Sequence, residues 1–177
     1  MAGVTIRNSV RDDVVGILRI YSHEVLHGLA TFEEVPPAED EMAERRASIL
    51  DLGLPYLVAE QGGHVVGYAY AGRYRTRPAY RYSIENSVYI DRDFRGQGLG
   101  RLLLSELIAQ SERGSWRQMV AVIGDSQNVG SIRLHEQMGF RHIGTLEKVG
   151  FKLGQWVDTV IMQKALCADQ AASPDEG

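Results

Sequence analysis

The 177-residue chain has one cysteine, Cys167, so neither a disulfide framework nor a Cys-rich zinc site can form within it, and no metal is expected. That is the pattern of a reducing compartment. Positive charge is not in excess either: 19 Lys and Arg face 23 Asp and Glu, a formal net charge of -4, which argues against nucleic acid as a partner. Long apolar runs are missing too. No stretch approaches the roughly 18 apolar residues that cross a bilayer, and the opening MAGVTIRNSVRDD lacks the apolar segment of a signal peptide. No membrane partner is expected, the location is read as cytoplasmic, and the partner is expected to be small. With 44% hydrophobic and 24% charged residues, the chain is long enough for one domain with a sizeable core. We place that domain at residues 1–166 and read the polar stretch 167–177 as a disordered tail.

Strand and helix signals alternate, and no internal repeat is present. VTIRNS reads as a first strand, with Ser9 as the cap of a helix whose first turn holds Asp12 and Asp13 and whose apolar spacing comes from Ile17, Ile20 and Tyr21. ATFEEVPP ends that helix, and Pro36-Pro37 leads into a second, from Ala38 to Leu50. PYLVAEQ and HVVGYAYAGRYR flank Gly62-Gly63, a hairpin signal, and YRYSIENSVYI is the next strand. The helix GRLLLSELIAQSER, the strand RQMVAVIG, the helix NVGSIRLHEQM and two strands from Phe140 to Met162 complete the order. Strands alternating with helices and interrupted by hairpins predict an α/β chain with a mixed sheet and helices on its faces.

DFRGQGLGR, Asp93 to Arg101, puts three glycines between a strand and a helix. Glycine backbone lets a ligand approach closely, and the free N–H groups at a helix N-terminus suit phosphate oxygens. The segment therefore reads as a phosphate cradle, although a plain tight turn would need the same residues. It is not a Walker loop, because Gly100 is followed by Arg101 and Leu102 rather than Lys and Ser or Thr. It is not a dinucleotide fingerprint, because the third glycine counted from Gly96 would fall at Arg101.

SVYIDRDFRGQGLGRLLLSELI, with NVGSIRLHEQMGF downstream, resembles the acetyl-CoA signature of the GNAT acyltransferases, and the likeness runs from about Val4 to Met162. The resemblance implies the GNAT fold, a central, mostly antiparallel twisted sheet flanked by helices. It implies acetyl-CoA as cosubstrate, with the pyrophosphate on Arg95, Gly96, Gln97, Gly98, Leu99, Gly100 and Arg101. The pantetheine arm would lie like an added strand along Val88, Tyr89 and Ile90, and Asn128 would contact the coenzyme while capping its helix. It also implies a homodimer; the residue signal for one is Trp156 and the apolar residues around it in the last strands. Within the family, TFEEVPP, GRYRTRPAYRYSIENSVYI, VAVIG and RLHEQMGF are similar to the phosphinothricin and methionine sulfoximine N-acetyltransferases. In that branch His135 stands where many members have a tyrosine thought to protonate the leaving thiolate.

An amine attacks a thioester only when neutral, so an ammonium substrate needs a base. Glu85 is the first candidate: in a strand it shares a face with Ser87 and Tyr89, and burial among Val, Ile and Tyr raises a carboxylate's pKa. The other reading of Glu85 is a cross-strand partner for Arg81 or Arg75, and His135 is the rival base. Arg73 and Arg75, two apart, fall on one side of an extended strand and suit a clamp on a substrate carboxylate, although a solvated positive edge has the same spacing. Phe32 and Glu33 are read as an aromatic wall and an anion for the substrate ammonium. Two other functions remain open at this stage: acetylation of a protein N-terminus or a polyamine, and a non-catalytic acyl-CoA sensor.

Overall fold

The computed structural model describes residues 3–166; Cys167 and the tail reading of 167–177 lie outside the described residues. Seven strands form one sheet, β1 (Val4–Asn8), β2 (Tyr56–Gln61), β3 (His64–Arg73), β4 (Ser83–Ile90), β5 (Gln118–Gly124), β6 (Arg141–Lys152) and β7 (Gln155–Ala165), in the order β1-β2-β3-β4-β5-β7-β6. All neighbours are antiparallel except β4 and β5. The helices are α1 (Val14–His27), α2 (Glu39–Asp51), α3 (Leu99–Ser111) and α4 (Val129–Gln137). The expected elements are therefore present, with ends moved by up to three residues, at the start of β4 and the end of β7.

Period-two alternation in the central strands divides the core between the two faces of the sheet. Leu57, Ala59, Val66, Ala69, Ala71 and Ile84 pack with Leu99, Leu103, Leu104 and Leu107 of α3. Tyr56, Val58, Val65 and Tyr68 pack with Ile17, Ile20, Tyr21 and Val25 of α1 and with Met42 and Ala43 of α2. The predicted spacing of Ile17, Ile20 and Tyr21 is thus the buried stripe of α1. On the α1 face tyrosines form a stacked ladder: Tyr56 on Tyr70 at 5.0 Å and Tyr68 on Tyr89 at 5.1 Å, each pair also a cross-strand register pair. Aromatic pairs of this kind add about 0.5–1.5 kcal/mol each beyond burial.

The expected Ser9 cap is corrected. A 3-10 turn, Arg11–Asp13, precedes α1, and the Asp13 carboxylate accepts from the Val10 N–H at 2.7 Å. Asp13 also takes both arms of Arg7, at 2.7 and 2.8 Å. Ser9 Oγ instead accepts from Arg46 Nε of α2 at 2.7 Å, tying the first strand to the second helix. The cap position is Val10, one residue later than expected, so Ser9 lies before the first turn and its hydroxyl takes Arg46 instead.

Candidate active site

β4 is bonded along its whole length to β3 on one edge, but its pairing with β5 stops at Asn86↔Ala121. Beyond that point the parallel strands part. The backbone of residues 87–90 that faces β5 has no strand to bond, and it borders a cleft of about 410 Å³. Ser87, Val88, Tyr89 and Ile90 line one wall, Ala121 to Gly124 the other, and the glycine turn and α4 close the end. An open strand edge of this kind is satisfied by an extended ligand that adds as a strand.

The glycines at the turn play different parts. Gly96 and Gly98 adopt φ of 75° and 80°, which residues with a Cβ reach at a cost of about 1–2 kcal/mol. They bend the chain into the start of α3, whose first N–H groups have no intrahelical partner, and Gly96, Gly98, Leu99 and Gly100 all line the cleft. Gly100 is different: its backbone is helical, and a Cβ there would lie 3.1 Å from Leu134 Cδ2 of α4. Close packing of α3 against α4 is what this position requires. Arg95 also lines the cleft, but its guanidinium is paired with the buried carboxylate of Glu24, another lining residue. Leu99 is buried and lines the cleft, whereas Gln97 and Arg101 are exposed and lie outside its lining. Asn128 lines the cleft and caps α4 through Ser131 N–H at 3.2 Å.

His135 is buried at 3% exposure and lies 2.9 Å from Asn86 through Nε2 and 2.8 Å from the Ser131 carbonyl through Nδ1. A carbonyl only accepts, so the Nδ1 proton is present and donates to it. Burial lowers the ring's pKa, which favours the neutral form. Nε2 is then an acceptor, and only the NH2 end of Asn86 can face it. As found, the ring presents no proton to the cleft.

Glu85 lies on the opposite face of β4 from Asn86, and its side chain is not part of the cleft lining. Burial raises its pKa above the ordinary carboxylate value, and the Arg75 charge partly opposes the rise. Burial raises the pKa of Tyr70, the Ser87 side chain opposes the rise, and the Glu85 charge adds to it, which puts Glu85, Ser87 and Tyr70 close together. A proton acceptor thus lies on the α1 face, one residue from the point where the strands part.

The two arginines are not arranged as the strand period predicts. β3 ends at Arg73, which pairs in register with Ile84, while Glu85 pairs with Gly72. Cross-strand partners share a face, so Arg73 leaves the sheet on the side away from Glu85. Arg75 lies in the following bend, stacked 4.9 Å from the Tyr74 ring, and it is the arginine whose charge reaches Glu85. Arg81 sits over Tyr82.

Phe32 and Glu33 lie outside the cleft lining, in the loop 28–38 between α1 and α2. The Phe32 ring packs against Gly150 of β6, where a Cβ would stand 2.7 Å from Phe32 Cζ. Glu33 accepts from Arg45 Nη1 at 2.7 Å, so its charge is already partnered within the chain. Burial raises the pKa of Tyr21 and Tyr70, and the nearby Glu33 charge adds a little to each.

Sequence reasoning did not single out Lys152. Its ammonium, on a residue only 2% exposed, donates to the Thr31 carbonyl at 2.7 Å and to the Glu24 carbonyl at 3.3 Å, pinning the loop to β6. The register break between Leu146 and Gly150, with Lys148 at φ 54°, marks the bulge that aims this end of β6. Trp116 packs against the α3-side core, whereas Trp156 is 63% exposed and edge-on to Phe151. Among the described residues, no helix is long and apolar enough to cross a membrane, and no group of three or more His, Cys, Asp or Glu is placed to hold a metal ion.

This architecture has counterparts among known proteins. Residues 11–140 match the family model described as Acetyltransferase (GNAT) family. A phosphinothricin N-acetyltransferase of Alcaligenes faecalis is 53% identical over 171 residues, 97% of this chain and 87% of that protein. An L-methionine sulfoximine/L-methionine sulfone acetyltransferase of Salmonella typhimurium is 42% identical over 97% of this chain and 99% of its own length. The crystal structure of a GNAT superfamily phosphinothricin acetyltransferase from Sinorhizobium meliloti, in complex with AcCoA, superposes with a TM-score of 0.95 at 44% identity, over 99% of this chain and 95% of that one. With the parted strands, the glycine turn and these relatives in agreement, the chain belongs to the GNAT family and is an N-acetyltransferase.

Proposed function

We propose that the chain transfers acetyl from acetyl-CoA to the α-amine of a small amino-acid-like acceptor of the phosphinothricin, methionine sulfoximine or methionine sulfone type. The observation that carries this reading is the parting of β4 from β5, with N–H donors for phosphate on one side and a carboxylate of raised pKa on the other. The names of the relatives support the acceptor class. The N–H groups of the turn from Gly96 to Gly100 would hold the pyrophosphate, with Arg95 largely neutralised by Glu24. The open edge of Val88, Tyr89 and Ile90 would hold the pantetheine arm, and Asn128 would border it.

Acetyl-CoA supplies the thioester carbonyl. Glu85 takes the ammonium proton, directly or through water, leaving a neutral amine to attack that carbonyl. An N–C bond forms, the C–S bond breaks, and the proton the amine nitrogen sheds as the amide forms passes to the departing thiolate, so that coenzyme A leaves as a thiol. His135, neutral and bonded at both nitrogens, could receive a proton only after exchanging Asn86. Arg75, whose charge acts on Glu85, would take the acceptor's carboxylate; Arg73 would reach it only from the other side of the sheet. Phe32 and Glu33 would border the acceptor through the loop Lys152 holds. The exposed residues Leu146, Val149, Phe151, Leu153 and Trp156 on β6, β7 and the turn joining them form the surface on which we place a homodimer contact.

Thiol release from acetyl-CoA should be measured with methionine sulfoximine and with its methyl ester. The ester should be the poorer acceptor on wild type, and Arg75→Ala should erase the difference. Losing one charge-assisted contact lowers kcat/KM by about 2–3 kcal/mol. Equal turnover of acid and ester on wild type would remove the carboxylate clamp and favour another amine. Binding of acetyl-CoA without thiol release by any amine would make the chain a sensor.

A further inference from the structure

Among the described residues, two buried side-chain polar atoms have no hydrogen-bond partner, and one of them, Asn86 Oδ1, belongs to a residue that lines the cleft. Asn86 is only 5% exposed and stands at the last paired position of β4 and β5, the vertex from which the strands part. A buried acceptor left unbonded costs about 1–3 kcal/mol, so its retention points to a ligand that satisfies it. The amide cannot turn to relieve the cost. His135 Nδ1–H is committed to the Ser131 carbonyl, Nε2 is therefore an acceptor, and the Asn86 NH2 group must face it. The ring is itself held edge-on to Phe140 at 5.0 Å.

The face decides what the ligand is. Asn86 projects from the α3 and α4 side of β4, the side of the glycine turn, whereas Glu85 and the tyrosine ladder are on the α1 side. An extended arm anchored by its phosphates at Gly96 to Gly100 and running back along Ile90, Val88 and Ser87 reaches Asn86 last, near its thiol end. We infer that Asn86 Oδ1 accepts the thiol-proximal amide N–H of the pantetheine arm, and that His135 is a positioning residue that fixes the Asn86 amide in the accepting orientation. This inference rests on the acetyl-CoA reading above. It gives His135 a task that needs no proton transfer.

The test is calorimetric binding of acetyl-CoA and of an analogue whose thiol-proximal amide N–H is replaced by an ester oxygen. Wild type should bind the analogue about tenfold more weakly, 1.4 kcal/mol. Asn86→Leu should bind both alike, near the analogue's affinity for wild type. If Asn86→Leu does not fold, Asn86→Ala is read the same way. Nitrogen-15 spectra of the free protein should show His135 protonated at Nδ1 and bare at Nε2, and His135→Leu should shrink the discrimination without abolishing acetyl-CoA binding. Undiminished discrimination in the Asn86 variant, or a His135 ring protonated at Nε2, overturns this inference alone. Failure of wild type to bind acetyl-CoA overturns the acetyl-transfer reading, and this inference with it.

Discussion

Replacing Lys152 by methionine tests whether one buried cation organises the acceptor side. Methionine keeps the length and apolar body of the lysine stem, so the β6 packing is little changed and the loss is confined to the ammonium. Two carbonyls lose the ammonium, Thr31 at 2.7 Å and Glu24 at 3.3 Å, and Glu24 keeps the Gly28 N–H at 2.9 Å. A hydrogen bond from a charged group contributes about 1.5–3 kcal/mol when its partner stays buried. The longer contact adds less, and removing a desolvated ammonium, whose pKa burial already lowers, returns part of the cost. The net destabilisation is about 2 kcal/mol, which in a protein of this size lowers Tm by roughly 4–8 °C. The kinetic effect should fall mainly on the acceptor, because the freed segment carries Phe32 and Glu33, whereas only Glu24 and Ala30 of this region line the cleft built from β4, β5 and α4. Thermal unfolding together with acceptor and acetyl-CoA KM is the assay. An unchanged Tm, or a rise in acetyl-CoA KM with acceptor KM unaltered, would refute the anchor.

Glu85→Gln should lower kcat with little effect on acetyl-CoA affinity and recover partly at high pH as more amine becomes neutral. Wild-type kcat/KM should fall on acidification at a pH above the ordinary carboxylate range, since the base works only when ionised and burial has raised its pKa; a pH profile of Glu85→Gln identical to wild type would show that the base lies elsewhere. Gly98→Val should cost about 1–2 kcal/mol for a side chain at φ 80° and should raise acetyl-CoA KM. A folded variant with unaltered coenzyme affinity would show that the turn is no cradle. Sedimentation at micromolar concentration should give a dimer, and glutamate at both Phe151 and Trp156 should give a monomer; a monomeric wild type would end the dimer proposal.

The order of elements, the buried stripe of α1 and the sorting of β4 into two faces were legible in the sequence because each rests on local periodicity. The glycine turn was legible for a similar reason: positive φ at Gly96 and Gly98 is a property of the residues themselves. Gly100 was not, because its constraint is Leu134 on another helix, 34 positions away and silent in any local pattern. The pairing of Arg73 with Arg75 failed at the strand end. Period two holds only while the chain stays extended, and β3 stops at Arg73. Ser9 has the chemistry of a cap, yet the turn begins one residue later, at Val10, and Ser9 bonds Arg46 instead. Glu24, Lys152 and Asn86 gave only a weak local signal, polar residues set among apolar ones. Their partners, Arg95, Thr31 and His135, lie 71, 121 and 49 residues away. Local backbone preference and side-chain spacing thus determined the elements and the glycine turn. Which polar groups face one another across the parting of β4 and β5 was decided only by tertiary packing, since a buried charge or amide takes its partner from whatever the fold brings within hydrogen-bond reach.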